Sequence, residues 1–201
     1  MSAKPARRYE KRRRAEAEQE TRRRITEAAV QLHAAVGPAR TTVSAVAERA
    51  GVQRATVYRH FPADADLFAA CSARWTSMHP YPAPDAWPAI ADARERTRTA
   101  LAELYAYYRE AQPMLANVIR DAELLPALRA VMEPAGRYFR EVEEILAAGW
   151  PDGDRAERRA ALALALDFST WRTLAARLSD RQAADVMTRM VACAGHEAFD
   201  R

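Results

Sequence analysis

A segment of eight residues in the first third of the chain concentrates hydrogen-bond donors in a way that suits nucleic acid. Residues 53–60 have the sequence QRATVYRH, and no acidic residue lies between Gln53 and Phe61. Guanidinium, amide and hydroxyl groups bind phosphate oxygens and base edges, whereas a helix face that is only solvated usually mixes Glu with Lys. The donors on the outer side of this segment are Gln53, Arg54, Thr56, Tyr58, Arg59 and His60. Their types predict contacts with DNA.

Two short helices joined by a tight turn would present these donors. Thr42 suits the N-cap of the first helix, Gly51 tolerates the positive φ that a sharp turn needs, and Pro62 ends the second helix. Small Ala47, the turn glycine and aliphatic Val57 have the spacing of a DNA-binding helix-turn-helix. An ordinary pair of antiparallel helices stays open on spacing alone. The acid-free, donor-rich second helix favours DNA binding.

The segment GVQRATVYRHF, preceded by TTVSAVAERA and followed by Pro62 and Leu67, closely resembles the N-terminal domain of TetR/AcrR-type repressors. The resemblance covers about residues 20–70. It implies an all-α protein, with an N-terminal three-helix helix-turn-helix domain and a C-terminal helical domain that binds a ligand and dimerises. The predicted DNA-binding residues are Arg22, Thr42, Gln53, Arg54, Ala55, Thr56, Tyr58, Arg59 and His60.

One position departs from the pattern of that family. After Phe-Pro the family usually carries a lysine that contacts phosphate, whereas this chain has Asp64. An acidic residue there suits the start of a helix but repels DNA phosphates. The dense arginines at 7–14 and 22–24 are expected to compensate.

Charge is divided unevenly along the chain. Residues 1–60 hold 14 Lys/Arg and 6 Asp/Glu, whereas residues 61–201 hold 17 basic and 21 acidic residues. A basic first third is expected if that end meets a polyanion. Residues 1–17 form a basic arm that is either disordered in the free protein or continues the first firm helix, 18–36, backwards. This arm could add phosphate or minor-groove contacts.

Patterns typical of enzymes are missing. The six glycines form neither GxGxxG nor GxxxxGK[ST], and the two cysteines are far apart in the sequence. No histidine lies in an HExxH or ExxH arrangement; the four are His33, His60, His79 and His196. We therefore expect no catalytic residues, no metal site and no cofactor. No apolar run reaches the roughly 18 residues that span a bilayer, so we expect no membrane contact and a cytoplasmic protein.

Helical periodicity continues to the end of the chain, and no segment alternates like a strand. Residues 79–88 contain four prolines and predict a loop. The predicted helices beyond the helix-turn-helix are 64–78, 88–109, a short helix from Pro113, 125–148 with a kink at Pro134, 154–178 opened by Asp154, and 180–198 capped by Ser179 and Gln182.

The last two predicted helices are apolar on more than one side, which indicates burial on more than one side. The family resemblance implies that they pair with their twofold mates as a four-helix dimer interface. A monomer with a well-covered core is the alternative.

Aromatic and methionine side chains in the second part of the chain suit an apolar cavity. For any single one, a place in the core is the simpler interpretation. The predicted ligand-binding residues are Trp75, Met78, Tyr105, Tyr108, Met114, Phe139 and Trp171. Polar groups that could orient a ligand are the two tyrosines, His79, Asn117 and Asp167.

These patterns predict three regions: a basic arm at 1–17, a DNA-binding domain at 18–63, and an effector-binding and dimerisation domain at 64–201. The expected function is a ligand-responsive regulator, acting as a repressor, that binds a palindromic operator as a homodimer and is released by a small apolar effector. Helix 64–78 is the expected mechanical link. A constitutive DNA-binding protein without an effector and a helical enzyme are the alternatives.

Overall fold

The computed structural model describes residues 4–150 and 155–194, and within these ranges the chain forms helices and no strand. The α-helices are α1 (Lys4–Val36), α2 (Val43–Ala50), α3 (Arg54–His60), α4 (Asp64–Met78), α5 (Ala93–Ala122), α6 (Pro126–Val131), α7 (Glu133–Ala147), α8 (Arg155–Leu166), α9 (Phe168–Ala175) and α10 (Asp180–Cys193). Two 3-10 turns lie at Pro38–Arg40 and Pro84–Ala89. The prediction of an all-α protein is confirmed.

The chain divides into two structural units. The first comprises residues up to Met78 together with Ala116–Val131, and the second comprises His79–Leu115 and the residues from Met132 onward. Helix α5 belongs to both, because the boundary falls inside it. These two units are defined by which residues pack together. The predicted boundary at 63/64 separates a DNA-binding from an effector-binding function, and it stays a prediction.

The first unit is built on the apolar stripe of α1, which packs against α2 and α4, while α6 packs against α4. In this stripe Ile25, Ala28, Ala29 and Leu32 are buried, whereas Val36, the last residue of α1, is exposed. The buried residues of this unit include Ile25, Ala29, Val46, Val57, Phe68 and Leu128.

Helix α1 begins at Lys4, so the predicted arm continues the first helix backwards. Every residue from 9 to 20 is exposed. This part of α1 therefore receives no stabilisation from burial, and Arg12 pairs with Glu16 one turn along the same helix.

The second unit is built around the inner faces of α5, α8 and α10, with α7 and α9 against them. Its buried residues include Leu101, Leu104, Tyr105, Tyr108, Val142, Leu146, Leu162, Trp171, Met187 and Val191. The predicted loop at 79–88 contains the second 3-10 turn, where buried Trp87 donates from Nε1 to Glu103 at 3.1 Å.

The short helix predicted from Pro113 is wrong, because Pro113 lies inside the continuous helix α5. This helix also begins at Ala93 rather than at residue 88. Proline in a helix interior costs about 3 kcal/mol. Burial of Ala111 and Met114 on either side of it offsets that cost.

Two other predicted helices are broken in the structure. The kink expected at Pro134 is a full break, since α6 ends at Val131 and Pro134 occupies the first turn of α7, where its missing N–H costs nothing. The helix predicted for 154–178 is broken at Asp167, whose side chain accepts from the Thr170 N–H at 2.8 Å and caps α9.

The predicted capping box before the last helix is confirmed. Ser179 accepts from the Gln182 N–H, and the Gln182 side chain accepts from the Ser179 N–H. The predicted cap at Asp154 lies outside the described residues, as does the part of the last helix predicted beyond residue 194. Among the described helices, none is both long and apolar enough to cross a membrane.

Candidate nucleic-acid interface

The helix-turn-helix is formed by α2, a glycine turn and α3. The hydroxyl of Thr42 accepts from the Ala45 N–H at 3.1 Å, which confirms the predicted N-cap of α2. Gly51 adopts φ 63° and ψ 42°, and its N–H and that of Val52 return to carbonyls of α2. A side chain at Gly51 would need this left-handed conformation and would also meet the guanidinium of Arg24 at 2.8 Å. The turn therefore requires glycine.

Helix α3 buries one side and exposes the other. Val57 and Phe61 are buried, and Tyr58 is 50% exposed. The side chain of Gln53, at the N-cap position, makes no capping hydrogen bond. The predicted DNA contacts that are exposed are Gln53, Arg54, Ala55, Tyr58 and Arg59, together with Arg22 and Thr42, while Thr56 and His60 are half-buried. The structure thus brings the donors of α3 together on one solvent-facing side.

Two arginines of α1 hold the ends of the helix-turn-helix helices. Arg22 donates from Nη1 to the carbonyl of His60 at 2.6 Å, and its guanidinium lies 4.1 Å from the ring centre of Phe61. Arg24 donates to the carbonyls of Ala50 and Gly51 at the end of α2. Carbonyls at helix C-termini lack helical partners and carry partial negative charge, so cations stabilise them.

The sequence did not predict that Arg22 and Arg24 cap the C-terminal ends of these helices. Their bonds join residues separated by 38 and 26 positions, and no local pattern reports such a pairing. Arg22 as a DNA contact stays a prediction, although one of its donors is already bound to the protein.

Arg23 is neutralised by acids. It bonds to Glu20 and Glu27, and Glu27 also pairs with Arg74 of α4 at 3.0 Å. Its hydrogen bond to Glu20 holds the pKa of that carboxyl below its usual value. Arg22, Arg23 and Arg24 therefore all have protein partners, which weakens their expected role in compensating for Asp64.

The N-terminus of α4 carries two acids in its first turn, Asp64 and Asp66. The carboxylate of Asp66 accepts from the Ala63 N–H at 3.2 Å. Asp66 rather than Asp64 therefore accepts a backbone hydrogen bond at the start of α4. The side chain of Asp64 is exposed, and its repulsion of DNA phosphates stays a prediction.

Four of the predicted ligand-binding residues meet in the second unit. The ring of Tyr108 lies 5.8 Å from Trp171, 6.3 Å from Phe139 and 6.1 Å from Tyr105, centre to centre. Both tyrosine hydroxyls donate to backbone carbonyls at the end of α8, at 2.7 Å and 2.6 Å. Trp171 donates from Nε1 to Asp180 at 3.0 Å. The polar groups of these rings are thus used within the unit.

The other predicted ligand-binding residues are more scattered. Met114 is buried in the second unit, whereas Trp75 and Met78 belong to the first, where Met78 is exposed. Of the polar candidates, Asp167 caps α9, and Asn117 bonds to the end of α1. Ligand binding by any of these residues stays a prediction.

The sequence interpretation also missed an aromatic cluster around Tyr81. Its ring stacks on that of Tyr138 at 4.6 Å and lies 4.9 Å from that of Tyr107. Burial raises the pKa of Tyr81 and of Tyr138, whose hydroxyl donates to the Pro82 carbonyl. The proline-rich composition around Tyr81 gave only the signal of a loop. Among the described residues, no group of three or more His, Cys, Asp or Glu could hold a metal ion.

The helix-turn-helix is similar to a known family of DNA-binding proteins. Residues 25–71 match the model of the bacterial regulatory proteins of the tetR family. No curated protein sequence matches the chain.

Solved structures share the fold over most of the chain. PfmR, a TetR-family transcriptional regulator from Thermus thermophilus, has a TM-score of 0.60 at 18% identity, covering 84% of this chain and 96% of its own. The transcriptional regulator FadR from Bacillus subtilis, in complex with stearoyl-CoA, has a TM-score of 0.58 at 17% identity, covering 86% and 98%. A putative transcriptional regulator from Saccharomonospora viridis, in complex with choline, has a TM-score of 0.57 at 25% identity, covering 86% and 94%. Residues 25–71 thus belong to the tetR family of bacterial regulatory proteins, and the chain shares its overall fold with solved TetR-type transcriptional regulators.

Proposed function

We propose that the protein is a ligand-responsive repressor that binds a palindromic operator as a homodimer in the cytoplasm. The observation that carries this proposal is α3, a helix with an acid-free outer side whose C-terminal end is fastened to α1. A recognition helix held in this way meets DNA with its donors already oriented. Gln53, Arg54 and Arg59 would contact base edges, and Tyr58 would contact phosphate.

His60 fits the role of a phosphate ligand less well than Tyr58 does. Its Nε2 atom is buried and makes no hydrogen bond among the described residues. Its carbonyl is the acceptor for Arg22. We therefore assign His60 to the end of α3, where its backbone rather than its ring makes the contact that matters.

The homodimer would use the outward faces of α8 and α10. These helices pack on each other, and they expose Leu164 (54%) and Met190. Trp171 lies within one of the two helices predicted to form this interface, but its side chain is fully buried within a single chain. Exposed leucine and methionine on paired helices are the surface that a second copy would cover.

An apolar effector would release the DNA. The aromatic side chains of the second unit use their polar atoms on backbone carbonyls and on Asp180, so a ligand would meet mainly ring surface. The structural relative that contains stearoyl-CoA supports a ligand with an apolar chain. The relative that contains choline supports a small cation instead. The effector must bind the DNA-incompetent arrangement more tightly, because otherwise it shifts no equilibrium.

Selection of duplexes from a random library by the purified protein tests this function. We expect enrichment of a twofold-symmetric sequence with half-sites about one helical turn apart. Stearoyl-CoA and choline chloride are then added separately to the complex with the selected duplex. We expect release by stearoyl-CoA and none by choline.

Each alternative has its own outcome in these experiments. Sequence-specific binding that neither compound changes would favour a constitutive DNA-binding protein. Failure to enrich any sequence would refute operator binding and reopen the enzyme alternative. Enrichment of an asymmetric sequence would contradict the homodimer.

A further inference from the structure

The last turns of α5 are bonded to the C-terminal end of α1. Asn117 donates from Nδ2 to the carbonyls of His33 at 3.0 Å and of Ala34 at 2.8 Å. The His33 carbonyl also accepts from the Gly37 N–H, whereas the residue four positions after Ala34 is Pro38, which has no N–H to donate. One side chain of α5 thus completes the end of the helix that supports the whole DNA-binding unit.

A second residue of α5 holds the connection between α1 and α2. Asp121 is 1% exposed, and its carboxylate accepts from the Ala39 N–H at 2.9 Å and from Arg120 Nε at 2.7 Å. A buried carboxylate is costly unless it is paired and hydrogen-bonded, so this side chain stays where both partners reach it. At Gly37, with φ 95°, an added Cβ would collide with the side chains of Arg120 and Asp121. The connection therefore lies directly against α5.

The bonds continue from this connection into the helix-turn-helix. Thr41 donates from Oγ1 to the Gly37 carbonyl at 2.8 Å, and its N–H donates to the Pro38 carbonyl at 3.1 Å. The next residue, Thr42, caps α2. An uninterrupted set of short hydrogen bonds and covalent links thus joins Asp121 to the first turn of α2.

The same helix runs through both units. Residues 93–115 of α5 carry Leu101, Tyr105 and Tyr108 in the core of the second unit, and residues 116–122 carry the groups that hold the α1–α2 connection. Helix α5 is therefore a covalent element that both units share, and Asn117 and Asp121 lie in the part that belongs to the first unit. Energetic coupling between two sites requires a physically connected element of this kind.

We propose that Asn117 and Asp121 are positioning residues for operator binding, through which α5 carries the state of the second unit to the helix-turn-helix. This inference rests on the proposed function. It adds a route to the one expected through α4. Neither residue touches DNA in this scheme, because both act through the backbone between His33 and Thr42.

The positioning role is tested with Asp121→Asn and Asn117→Ala. The matched control is Leu128→Val, which loosens a buried contact of α6 in the same unit without touching the connection. Dissociation constants are measured for the selected operator and for a scrambled duplex of equal length, at the same salt concentration. Specific binding needs the exact placement of base-reading groups, whereas non-specific binding follows phosphate charge.

For the two positioning variants we expect affinity for the operator to fall by about tenfold or more, with affinity for the scrambled duplex within about twofold of wild type. Leu128→Val should lower the melting temperature and leave the ratio of the two affinities unchanged. Equal losses on both duplexes, or a ratio changed as much by Leu128→Val, would overturn the positioning role.

The coupling role is tested without DNA or effector. Tyr108→Phe removes the hydroxyl that donates to the Leu166 carbonyl in the second unit. Hydrogen exchange of backbone amides at residues 37–45 is then measured by mass spectrometry. We expect Tyr108→Phe to speed exchange there by about threefold or more, and to have no further effect in an Asp121→Asn background.

Unchanged exchange at residues 37–45 in Tyr108→Phe would overturn the coupling through α5. An effect of the same size in the Asp121→Asn background would also overturn it, since the signal would then bypass Asp121. This measurement decides the coupling even if duplex selection fails. Failure of the proposed function and failure of this inference are thus distinguishable.

Discussion

His33 makes the stability of the first unit dependent on pH between about 4 and 6.5. The residue is 3% exposed, and its ring centre lies 5.8 Å from that of Phe68. Burial lowers the pKa of His33 to about 4, against the opposing attraction of the Asp121 carboxylate. The folded protein therefore keeps this imidazole neutral at pH values where an unfolded chain already binds a proton.

The sign and size of the effect follow from proton linkage. Between pH 6.5 and about 4 the unfolded state binds more protons at His33, so the free energy of unfolding falls as the pH falls. The contribution is fully present above pH 6.5. One pKa unit corresponds to about 1.4 kcal/mol, so roughly 2 kcal/mol is lost by pH 5 and roughly 3 kcal/mol by pH 4.

Urea unfolding at pH 7 and pH 5 tests this prediction in the wild type, in His33→Leu and in the control His79→Gln. We expect the free energy of unfolding of the wild type and the control to fall by about 2 kcal/mol more than that of His33→Leu over this interval. The carboxylates that titrate nearby are common to all three proteins. The same pH dependence in His33→Leu and wild type would refute the reasoning, because the proton would then bind elsewhere.

Three further predictions concern the DNA-binding surface and the assembly. In a panel of operator variants, Arg54→Ala should cost roughly 1–3 kcal/mol and relax the preference at one position, whereas Tyr58→Phe should weaken all sites about equally; a uniform loss from Arg54→Ala would reverse these assignments. Analytical ultracentrifugation should find Leu164→Arg folded and monomeric, whereas Trp171→Arg, at a fully buried site, should fail to fold; a dimeric Leu164→Arg would contradict the proposed interface. Asp64→Lys should tighten operator binding and steepen its log–log salt dependence by up to about 0.9, and no change in either would mean that Asp64 faces away from DNA.

The helix-turn-helix was predictable because its signals are local. A hydroxyl three residues before the N–H that it caps, a glycine in the left-handed region and a proline after α3 each act within one turn of the chain. Thr42 and Gly51 therefore have the predicted roles. The bounds of α4, Asp64–Met78, are also those predicted, since acids open that helix and a proline-rich segment follows it.

The second unit was less predictable because tertiary packing overrides local preference there. Pro113 is a poor residue for a helix interior, and Asp167 lies between two apolar runs that share one periodicity. Only the burial around Pro113 and the cap that Asp167 makes explain why one helix continues and the other breaks. Trp171 is a further example. The excess of apolar residues in its helix did not show whether its side chain lies in the core of one chain or in a dimer interface, and the structure places it in the core.

Arginines of the first unit divide into those that shape the fold and those that are free to meet DNA. Arg23 has acids three residues before it and four residues after it on α1, the spacing at which helix side chains pair. Arg54 and Arg59 have no acid at that spacing along α3, and neither makes an ion pair among the described residues. The net charge of residues 1–60 does not distinguish the arginines that pair with acids from those that do not. Arg22 and Arg24 bond to carbonyls at helix ends, and Arg23 pairs with acids. We therefore attribute the attraction for phosphate to α3 and to the exposed start of α1 rather than to residues 22–24.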